Sequence, residues 1–395
     1  MRDLPQPPTT IFEHMSRRAR EAGAINLGQG FPDLPEPQEL IEAARRALVE
    51  RSNQYPPMRG LPELRAAVAG YIGRDQGIQV SPEEVIVTSG ATEAIAAAIF
   101  ALVRPGDEVV IVQPAYDAYL PLVERAGGVA RFVSLTPPHW RLPIDEIEAV
   151  VGPRTRLIIL NTPNNPTGTL LTRAELEAVG ELCARHDLWV LSDEVWEGMC
   201  FGPQPLSALA IPGLRDCTIK VGSAGKIFSL TGWKVGWAIA SPALASALAG
   251  QHQFLTFTTA TPLQWAVAEG LALPSLWHDT HRARYAAART RLVQGLESAG
   301  FTVLPNDASW FVNIDLTASG ISVNDAEFCE RLIDEAGVAA IPVSAFYAEA
   351  PPTNYVRFCF TKNDEVLDCA VQRLARFRSD ILGKPSRTVA ANQAL

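Results

Sequence analysis

The side chain best suited to chemistry in this sequence is Lys226, which lies in a segment rich in glycine and serine, residues 223–237. Lysine is scarce, and two of the five lysines, Lys226 and Lys234, fall in this segment. An apolar run at residues 217–221 precedes it and predicts a buried strand. Because desolvation at the end of such a strand favours the neutral amine, Lys226 has the character of a nucleophile that forms a Schiff base. The alternative is an ordinary solvated lysine in a loop. The surrounding pattern favours a lysine that forms a Schiff base, for which pyridoxal phosphate is the obvious carbonyl partner.

A second motif, residues 88–94, lies between a predicted strand and a predicted helix and has the features of an anion-binding site. Gly90 allows a tight turn. The amides of Ala91 and Thr92, with the Thr92 hydroxyl, would face the anion at the positive end of the helix dipole. The motif is not a P-loop, because no Gly-Lys-Ser/Thr follows. An ordinary helix N-cap is the alternative.

Two further polar motifs follow predicted strands, at residues 161–168 and 192–196. Asn165 precedes Pro166 and is therefore held extended, so its amide can be fixed over a ligand as a donor to a phenolate or a carboxylate. Asp193 lies at a strand end, where a carboxylate can keep a ring nitrogen protonated, since the two charges stabilise each other at low dielectric. The alternatives are a simple turn for Asn165 and an N-cap for Asp193.

Arg357 lies within a largely apolar strand predicted at residues 355–360. A buried arginine usually has a planar anionic partner, because the guanidinium pairs with a carboxylate through two hydrogen bonds. The partner is either a substrate carboxylate or an internal acidic side chain.

The order of the predicted elements indicates what positions these side chains. From about residue 84, apolar runs alternate with helical patterns, which predicts a mainly parallel sheet covered by helices on both faces. From about residue 275 a long helical stretch and alternating strands predict a separate α+β domain. We expect an N-terminal segment at residues 1–35 that packs with the small domain, a large domain at 36–275, a small domain at 276–381 and a disordered tail at 382–395.

Composition narrows the classes of function. The chain has 395 residues and a formal net charge of -9, which gives no electrostatic footprint for nucleic acid or for an anionic membrane. The N-terminus shows no apolar signal core, and no apolar stretch is long enough to cross a bilayer, so a cytoplasmic location is expected. The six cysteines form no Cys-x-x-Cys pair, which favours reduced thiols. Of the six histidines, His278 and His281 could share a helix face, but no acidic or cysteine ligand pattern accompanies them, so no metal site is expected.

Together these motifs resemble the fold-type I, pyridoxal-phosphate-dependent aminotransferases of class I, over residues from about 9 to 377. Residues 25–33, 53–60 and 223–237 are most similar to the subgroup of kynurenine aminotransferases, glutamine transaminase K and a bacterial methionine aminotransferase. The resemblance implies an α/β fold, with a mainly parallel seven-stranded sheet in a large domain and a smaller α+β domain. It also implies a homodimer with shared active sites.

The resemblance assigns cofactor roles residue by residue. It implies that Lys226 forms the Schiff base, that Asp193 pairs with the pyridine nitrogen and that Asn165 donates to the ring oxygen. Tyr116 would stack on the ring, and Tyr55 would reach the phosphate in the neighbouring subunit. The phosphate would be held around the turn at Gly90 by Ala91, Thr92, Ser223 and Lys234.

The resemblance also assigns the substrate site. Arg357 would bind the α-carboxylate, helped by the Gly30 backbone and by Asn165. Phe12, and Phe257 from the other subunit, would line the side-chain pocket, with Tyr119 and Trp310 as weaker candidates. Such walls suit methionine, glutamine, aromatic amino acids or kynurenine, exchanged with a 2-oxo acid by a ping-pong mechanism.

One position departs from the family pattern. Trp196 stands where the family normally has a tyrosine whose hydroxyl donates to the ring oxygen. An indole N–H can donate but cannot accept or ionise. Our hypothesis is that Trp196 keeps the donor with altered geometry.

Three other functions compete with transamination. The same carbanion chemistry permits cysteine-S-conjugate β-lyase activity. A regulator with an aminotransferase-like domain needs a DNA-binding segment, for which we expect no room before the first motif. A non-catalytic binding protein is disfavoured by the joint presence of Lys226, Asp193 and Arg357.

Overall fold

The computed structural model describes residues 10–383 and divides them into two units. The larger unit comprises residues 31–286 and 305–310, and the smaller comprises the residues up to 30, residues 287–304 and those from 311 onward. The domain limits expected from the sequence stay predictions. Residues 1–9 of the predicted N-terminal segment and residues 384–395 of the predicted tail lie outside the described range.

The strands and helices of the described residues are numbered in chain order. The strands are β1 (Ile25–Asn26), β2 (Val85–Thr88), β3 (Glu108–Gln113), β4 (Val129–Ser134), β5 (Thr155–Asn161), β6 (Trp189–Asp193), β7 (Thr218–Ser223), β8 (Gly236–Ile239), β9 (Thr302–Val303), β10 (Phe311–Asp315), β11 (Val338–Ala339), β12 (Ile341–Pro342) and β13 (Tyr355–Cys359). The α-helices are α1 (Ile11–Ala22), α2 (Gln38–Glu50), α3 (Pro62–Gln76), α4 (Ala91–Leu102), α5 (Tyr119–Arg125), α6 (Ile144–Val150), α7 (Arg173–His186), α8 (Ala224–Ile227), α9 (Pro242–Leu255), α10 (Thr261–Leu271), α11 (Ser275–Ser298), α12 (Asp325–Arg331) and α13 (Asp364–Gly383).

The larger unit is built on a seven-stranded sheet with the order β2-β8-β7-β6-β5-β3-β4. Of the seven strands, β8 alone runs opposite to the other six, so the predicted mainly parallel sheet is confirmed. The inner strands β3 and β7 are buried at every position. Residues 109–112 of β3 form the apolar run typical of such a strand, whereas β7 also buries the polar side chains of Thr218, Lys220 and Ser223. The edge strand β4 alternates between exposed and more buried positions.

The parallel strands β5, β6 and β7 end at the same edge of this sheet. Their last residues are Asn161, Asp193 and Ser223. Ligands of open α/β sheets bind beyond the carboxyl ends of the strands, so the topology brings the polar motifs of the sequence to one place.

The smaller unit contains an antiparallel sheet with the order β12-β13-β10-β9, and a parallel pair, β1 and β11. Helices α1, α12 and α13 belong to the same unit, which confirms the predicted α+β character. Arg357 lies in the central strand β13, opposite Asn313 on one side and Ile341 on the other.

Three further observations concern the cysteines, the possible metal ligands and the helices of the described residues. All six cysteines are free thiols. No cluster of three or more histidine, cysteine or acidic side chains in residues 10–383 could hold a metal ion. None of the helices in that range combines the length and apolarity needed to span a membrane.

Candidate active site

The ends of β5 and β6 are joined by the side chain of Asn161. Its Nδ2 donates to the Asp193 carbonyl at 2.9 Å, and its Oδ1 accepts from the backbone N–H of Asn165 at 2.8 Å. Asn165 is followed by a cis peptide bond to Pro166. The sequence-predicted pair Asn165 and Asp193 is therefore fixed through a third residue that the sequence analysis did not single out.

Asp193 is a carboxylate removed from water at the end of β6, with 4% of its surface exposed. Its Oδ2 accepts from the Tyr119 hydroxyl at 2.6 Å, and its Oδ1 accepts from the Val195 N–H at 3.3 Å. Burial raises the pKa of Asp193 to about 6, although these two hydrogen bonds and the charge of Lys226 lower it. A cationic ring nitrogen would stabilise the charged form of such a buried carboxylate.

Tyr119 has a contact that the sequence does not predict. The sequence offers it as a weaker candidate for the substrate pocket, and the structure buries it as the hydroxyl donor to Asp193. Burial, and the charge of Asp193, raise the pKa of Tyr119 well above its usual value, so the phenol keeps its proton. Its position three residues after Tyr116, at the start of α5, was the available signal, because it packs against Tyr116 with ring centroids 5.7 Å apart.

Lys226 lies in the short helix α8 that directly follows β7, beside an aromatic wall. Its Nζ is 4.9 Å from the ring centroid of Trp196 and 5.0 Å from that of Trp310. The two indoles meet edge to face with centroids 4.9 Å apart. Electron-rich ring faces attract an ammonium group, so both distances are those of cation–π contacts between Lys226 and the two indoles.

The start of α4 provides the features of an anion site. Gly90, with φ of 77°, is its N-cap and no side chain caps it, so the first N–H groups, from Ala91 and Thr92, have no partner within the helix. The Lys234 side chain lies against this turn, because a Cβ added at Gly90 would come within 3.2 Å of Lys234 Nζ. The Thr92 hydroxyl is 3.4 Å from the Tyr116 hydroxyl.

These features fit the group that the sequence suggests. N–H donors, a lysine and a hydroxyl suit a phosphate ester, and a buried carboxylate suits a pyridine nitrogen. Ser223 ends β7 immediately before α8, and 8% of its surface is exposed. The residues of the larger unit are thus compatible with pyridoxal phosphate.

Tyr55 and Phe257 form a separate pair in the larger unit. Their rings meet edge to face with centroids 5.7 Å apart, and 83% and 39% of their surfaces are exposed. Phe254 and Leu255 of α9 are exposed nearby in the sequence. The two residues expected to serve a neighbouring subunit therefore lie together at the surface.

In the smaller unit, Arg357 is surrounded by aromatic rings and is only 1% exposed. Its Cζ lies 3.8 Å from the ring centroid of Phe311 and 5.3 Å from that of Phe12, and its Nη2 donates to the Gly28 carbonyl at 2.8 Å. Gly30 belongs to the same group, since a Cβ there would come within 2.6 Å of the Phe311 ring. The structure thus brings together Arg357, Phe12 and Gly30, and the apolar rings leave the guanidinium suited to a planar anion.

Comparisons with known proteins show the family of the chain. The family model described as aminotransferase class I and II matches residues 22–374. The methionine aminotransferase of Escherichia coli (strain K12) is 41% identical over 94% of this chain and 96% of its own length. The rat kynurenine--oxoglutarate transaminase 3 is 35% identical over 91% and 86%. The solved structure of N-succinyldiaminopimelate aminotransferase from Mycobacterium tuberculosis has a TM-score of 0.90 and 41% identity, and covers 93% of this chain and 97% of that chain.

Proposed function

This chain belongs to the aminotransferase class I and II family, and we propose that it moves an amino group from a methionine, glutamine, aromatic or kynurenine-like amino acid to a 2-oxo acid. It is a pyridoxal-phosphate-dependent aminotransferase. The observation that carries the assignment of roles is the buried Asp193, with its raised pKa, in the same unit as Lys226. That combination suits a cofactor with a cationic ring nitrogen and a carbonyl carbon.

The residues that would hold the cofactor follow from their chemistry. Lys226 would bind it covalently through a Schiff base at Nζ, and Asp193 would hold a proton on its ring nitrogen. Asn165 and Trp196 would donate to the ring oxygen, Tyr116 would stack on the ring, and the phosphate would be held by Ala91, Thr92, Ser223 and Lys234. When bound, pyridoxal phosphate supplies an electron sink that acidifies the Cα proton of an amino acid.

The protein groups then position the substrate and move its proton. Arg357 would bind the α-carboxylate through its planar guanidinium, which fixes the orientation of the Cα–H bond. The Lys226 amine, released when the substrate takes its place, would accept the Cα proton and deliver it to the C4′ carbon. The same reaction steps in reverse, with a second 2-oxo acid as the acceptor, give ping-pong kinetics.

The preference for apolar and aromatic side chains is supported by the surroundings of Arg357. Phe12 and Phe346 pack edge to face 5.6 Å apart beside the guanidinium, and Phe257 is the candidate contribution from a neighbouring subunit. Two relatives, a methionine aminotransferase and a kynurenine--oxoglutarate transaminase, support the same range. The β-lyase alternative receives no support from the comparisons.

We also propose that the enzyme is a homodimer with shared sites. The exposed aromatic pair Tyr55 and Phe257, next to Phe254 with 85% of its surface exposed, supports this proposal, since large exposed apolar side chains mark interaction surfaces. Light scattering should give twice the mass of the chain. Phe254→Asp should favour the monomer and weaken cofactor retention.

We propose a cytoplasmic location, which the six free thiols support because disulfides are rare in that compartment. Fractionation of the source cell would test it. Recovery of activity outside the cytoplasmic fraction would contradict it.

Lys226→Ala tests the central assignment. We expect turnover to fall by more than about 10³-fold, because one residue supplies both the covalent anchor and the general base. Borohydride reduction of the wild-type enzyme should label one peptide, which contains residue 226. Lys226→Arg is the matched control that keeps the charge without the nucleophile, and it should also lose turnover. Substantial transamination by either variant would refute the role.

A further inference from the structure

A buried histidine outside the proposed machinery, His252 of α9, faces hydrogen-bond acceptors with both ring nitrogens. Its Nδ1 lies 2.8 Å from Glu93 Oε1, and its Nε2 lies 2.9 Å from the Met58 carbonyl. The side chain is 0% exposed. A neutral imidazole has a single N–H, whereas a carboxylate and a carbonyl both accept. Both hydrogen bonds therefore exist only when His252 is an imidazolium.

Glu93 extends this contact to the predicted anion site. It lies in the first turn of α4, and its Oε2 accepts from the Ser89 N–H at 2.9 Å. The same carboxylate thus binds His252 with one oxygen and fixes the start of the Ser89–Thr92 turn with the other. On the opposite side of the ring, Met58 belongs to the segment 53–60 that contains Tyr55.

We propose that His252 is a positioning residue for the phosphate of the cofactor, acting as a buried imidazolium through Glu93 and Met58. The inference rests on the proposed roles of Ala91, Thr92 and Tyr55. An unneutralised Glu93 in the first turn of α4 would repel a phosphate at that helix N-terminus, and the imidazolium removes this repulsion. It also links the Ser89–Thr92 turn, which would contact the phosphate of the same subunit, to the segment of Tyr55, which would reach the phosphate in the neighbouring subunit.

The charges around the ring give the pH dependence. Burial lowers the pKa of His252, but the hydrogen bond and the charge of Glu93 outweigh it and leave the pKa raised above 6.5. Neither α9 nor β2 carries another ionisable side chain. The turn at residues 82–84, which also packs on α9, carries two glutamates with arginine partners of their own, Glu83 with Arg65 and Glu84 with Arg215. Arg59, in the segment of Met58, donates to the Glu83 carbonyl.

The sign of the effect follows from the raised pKa. Below the unfolded value of 6.5 the contact is complete, and it is lost as the pH rises through the folded-state pKa of His252. Affinity for the phosphate should fall over the same interval.

The test compares His252→Gln with the wild type and with His186→Gln, a control at an exposed histidine in the last turn of α7. Cofactor-free enzyme prepared from holoenzyme is titrated with pyridoxal phosphate and with pyridoxal, which lacks the phosphate. At pH 6.5 we expect His252→Gln to weaken pyridoxal phosphate binding about tenfold, the loss of one charge-assisted hydrogen bond, and to leave pyridoxal binding unchanged. Equal weakening of both ligands, or of neither, would overturn the proposal.

A second measurement does not depend on how well the glutamine variant folds. The ring nitrogens of His252 in the holoenzyme are titrated by NMR in the wild type and in Glu93→Gln. We expect a pKa above 6.5 in the wild type and a lower value in the variant. A wild-type ring that titrates at or below 6.5 would contradict the imidazolium. If the wild type bound no pyridoxal phosphate at all, the proposed function would fail instead.

Discussion

Strands β6 and β7 bury an ionisable side chain on each face of the sheet, and the two side chains differ in whether the protein supplies their counter-charge. Ser192 pairs with Lys220 and Asp193 pairs with Val221, and successive residues of a strand alternate between faces. Asp193 and Lys220 therefore project to opposite faces of the same strand pair. Both are removed from water, with 4% and 0% of their surfaces exposed.

The chain itself supplies the counter-charges of Lys220. Its Nζ lies 2.5 Å from Glu194 and 2.5 Å from Glu197, and 3.3 Å from Gln76 Oε1. Burial disfavours its charge, but the two carboxylates leave the pKa of Lys220 raised. Asp193 accepts hydrogen bonds from a phenol and a backbone N–H, and burial raises its pKa to about 6 despite these bonds and the charge of Lys226. The protein thus completes the ion cluster around Lys220, whereas Asp193, the proposed partner of the cofactor ring nitrogen, keeps a raised pKa in the protein alone.

Asp193→Asn tests most directly whether Asp193 serves the cofactor. Without the carboxylate, the ring nitrogen loses its proton, and we expect kcat to fall by about 10³-fold or more, equivalent to roughly 4 kcal/mol. Steady-state kinetics with saturating cofactor measures this loss. A decrease of less than about tenfold would remove Asp193 from the cofactor site.

The same substitution should stabilise the cofactor-free protein. The folded-state pKa of Asp193, about 6, exceeds the unfolded value of 3.8, so the native state binds the proton more tightly. The contribution of Asp193 to the free energy of unfolding is therefore largest below pH 3.8 and declines until about pH 6, by roughly 3 kcal/mol. Denaturant unfolding at pH 7 should show Asp193→Asn to be the more stable apoprotein, and an equal or lower stability would contradict the raised pKa.

Lys220→Met tests the other face. It leaves Glu194 and Glu197 buried without their cation, so we expect a loss of about 3–5 kcal/mol in the free energy of unfolding. Changing both glutamates to glutamine in the same background should recover part of the loss, because the uncompensated charges are then removed. The absorbance spectrum of the bound cofactor should not change. A marked spectral change would show that the two faces are not independent.

The strand ends of the proposed cofactor site were easier to predict from the sequence than the partners of the buried charges. Lys226, Asp193 and Asn165 follow apolar strands, and strand ends are visible as polar motifs after apolar runs. The sheet and its mainly parallel order followed from the same alternation. The sequence does not predict the hydrogen-bond partners of Asp193 and Lys220, because Tyr119 is 74 residues from Asp193 and Gln76 is 144 residues from Lys220 along the chain. Such contacts depend on how helices pack on the sheet, which local patterns do not encode.

Trp196 is where the smallest effect is expected and where the sequence departs from the family pattern. It is 2% exposed, packs edge to face on Trp310 and lies beside Lys226 Nζ. If its indole N–H replaces the usual phenol as a donor, Trp196→Phe removes one hydrogen bond, whereas Trp196→Tyr restores a donor. We expect the pH titration of the bound cofactor's absorbance to shift in the Phe variant by about 1 unit or less, equivalent to roughly 1 kcal/mol, and to shift differently in the Tyr variant. Superimposable curves for the wild type and the Phe variant would mean that the indole acts only through packing and through the attraction of its ring for the ammonium of Lys226.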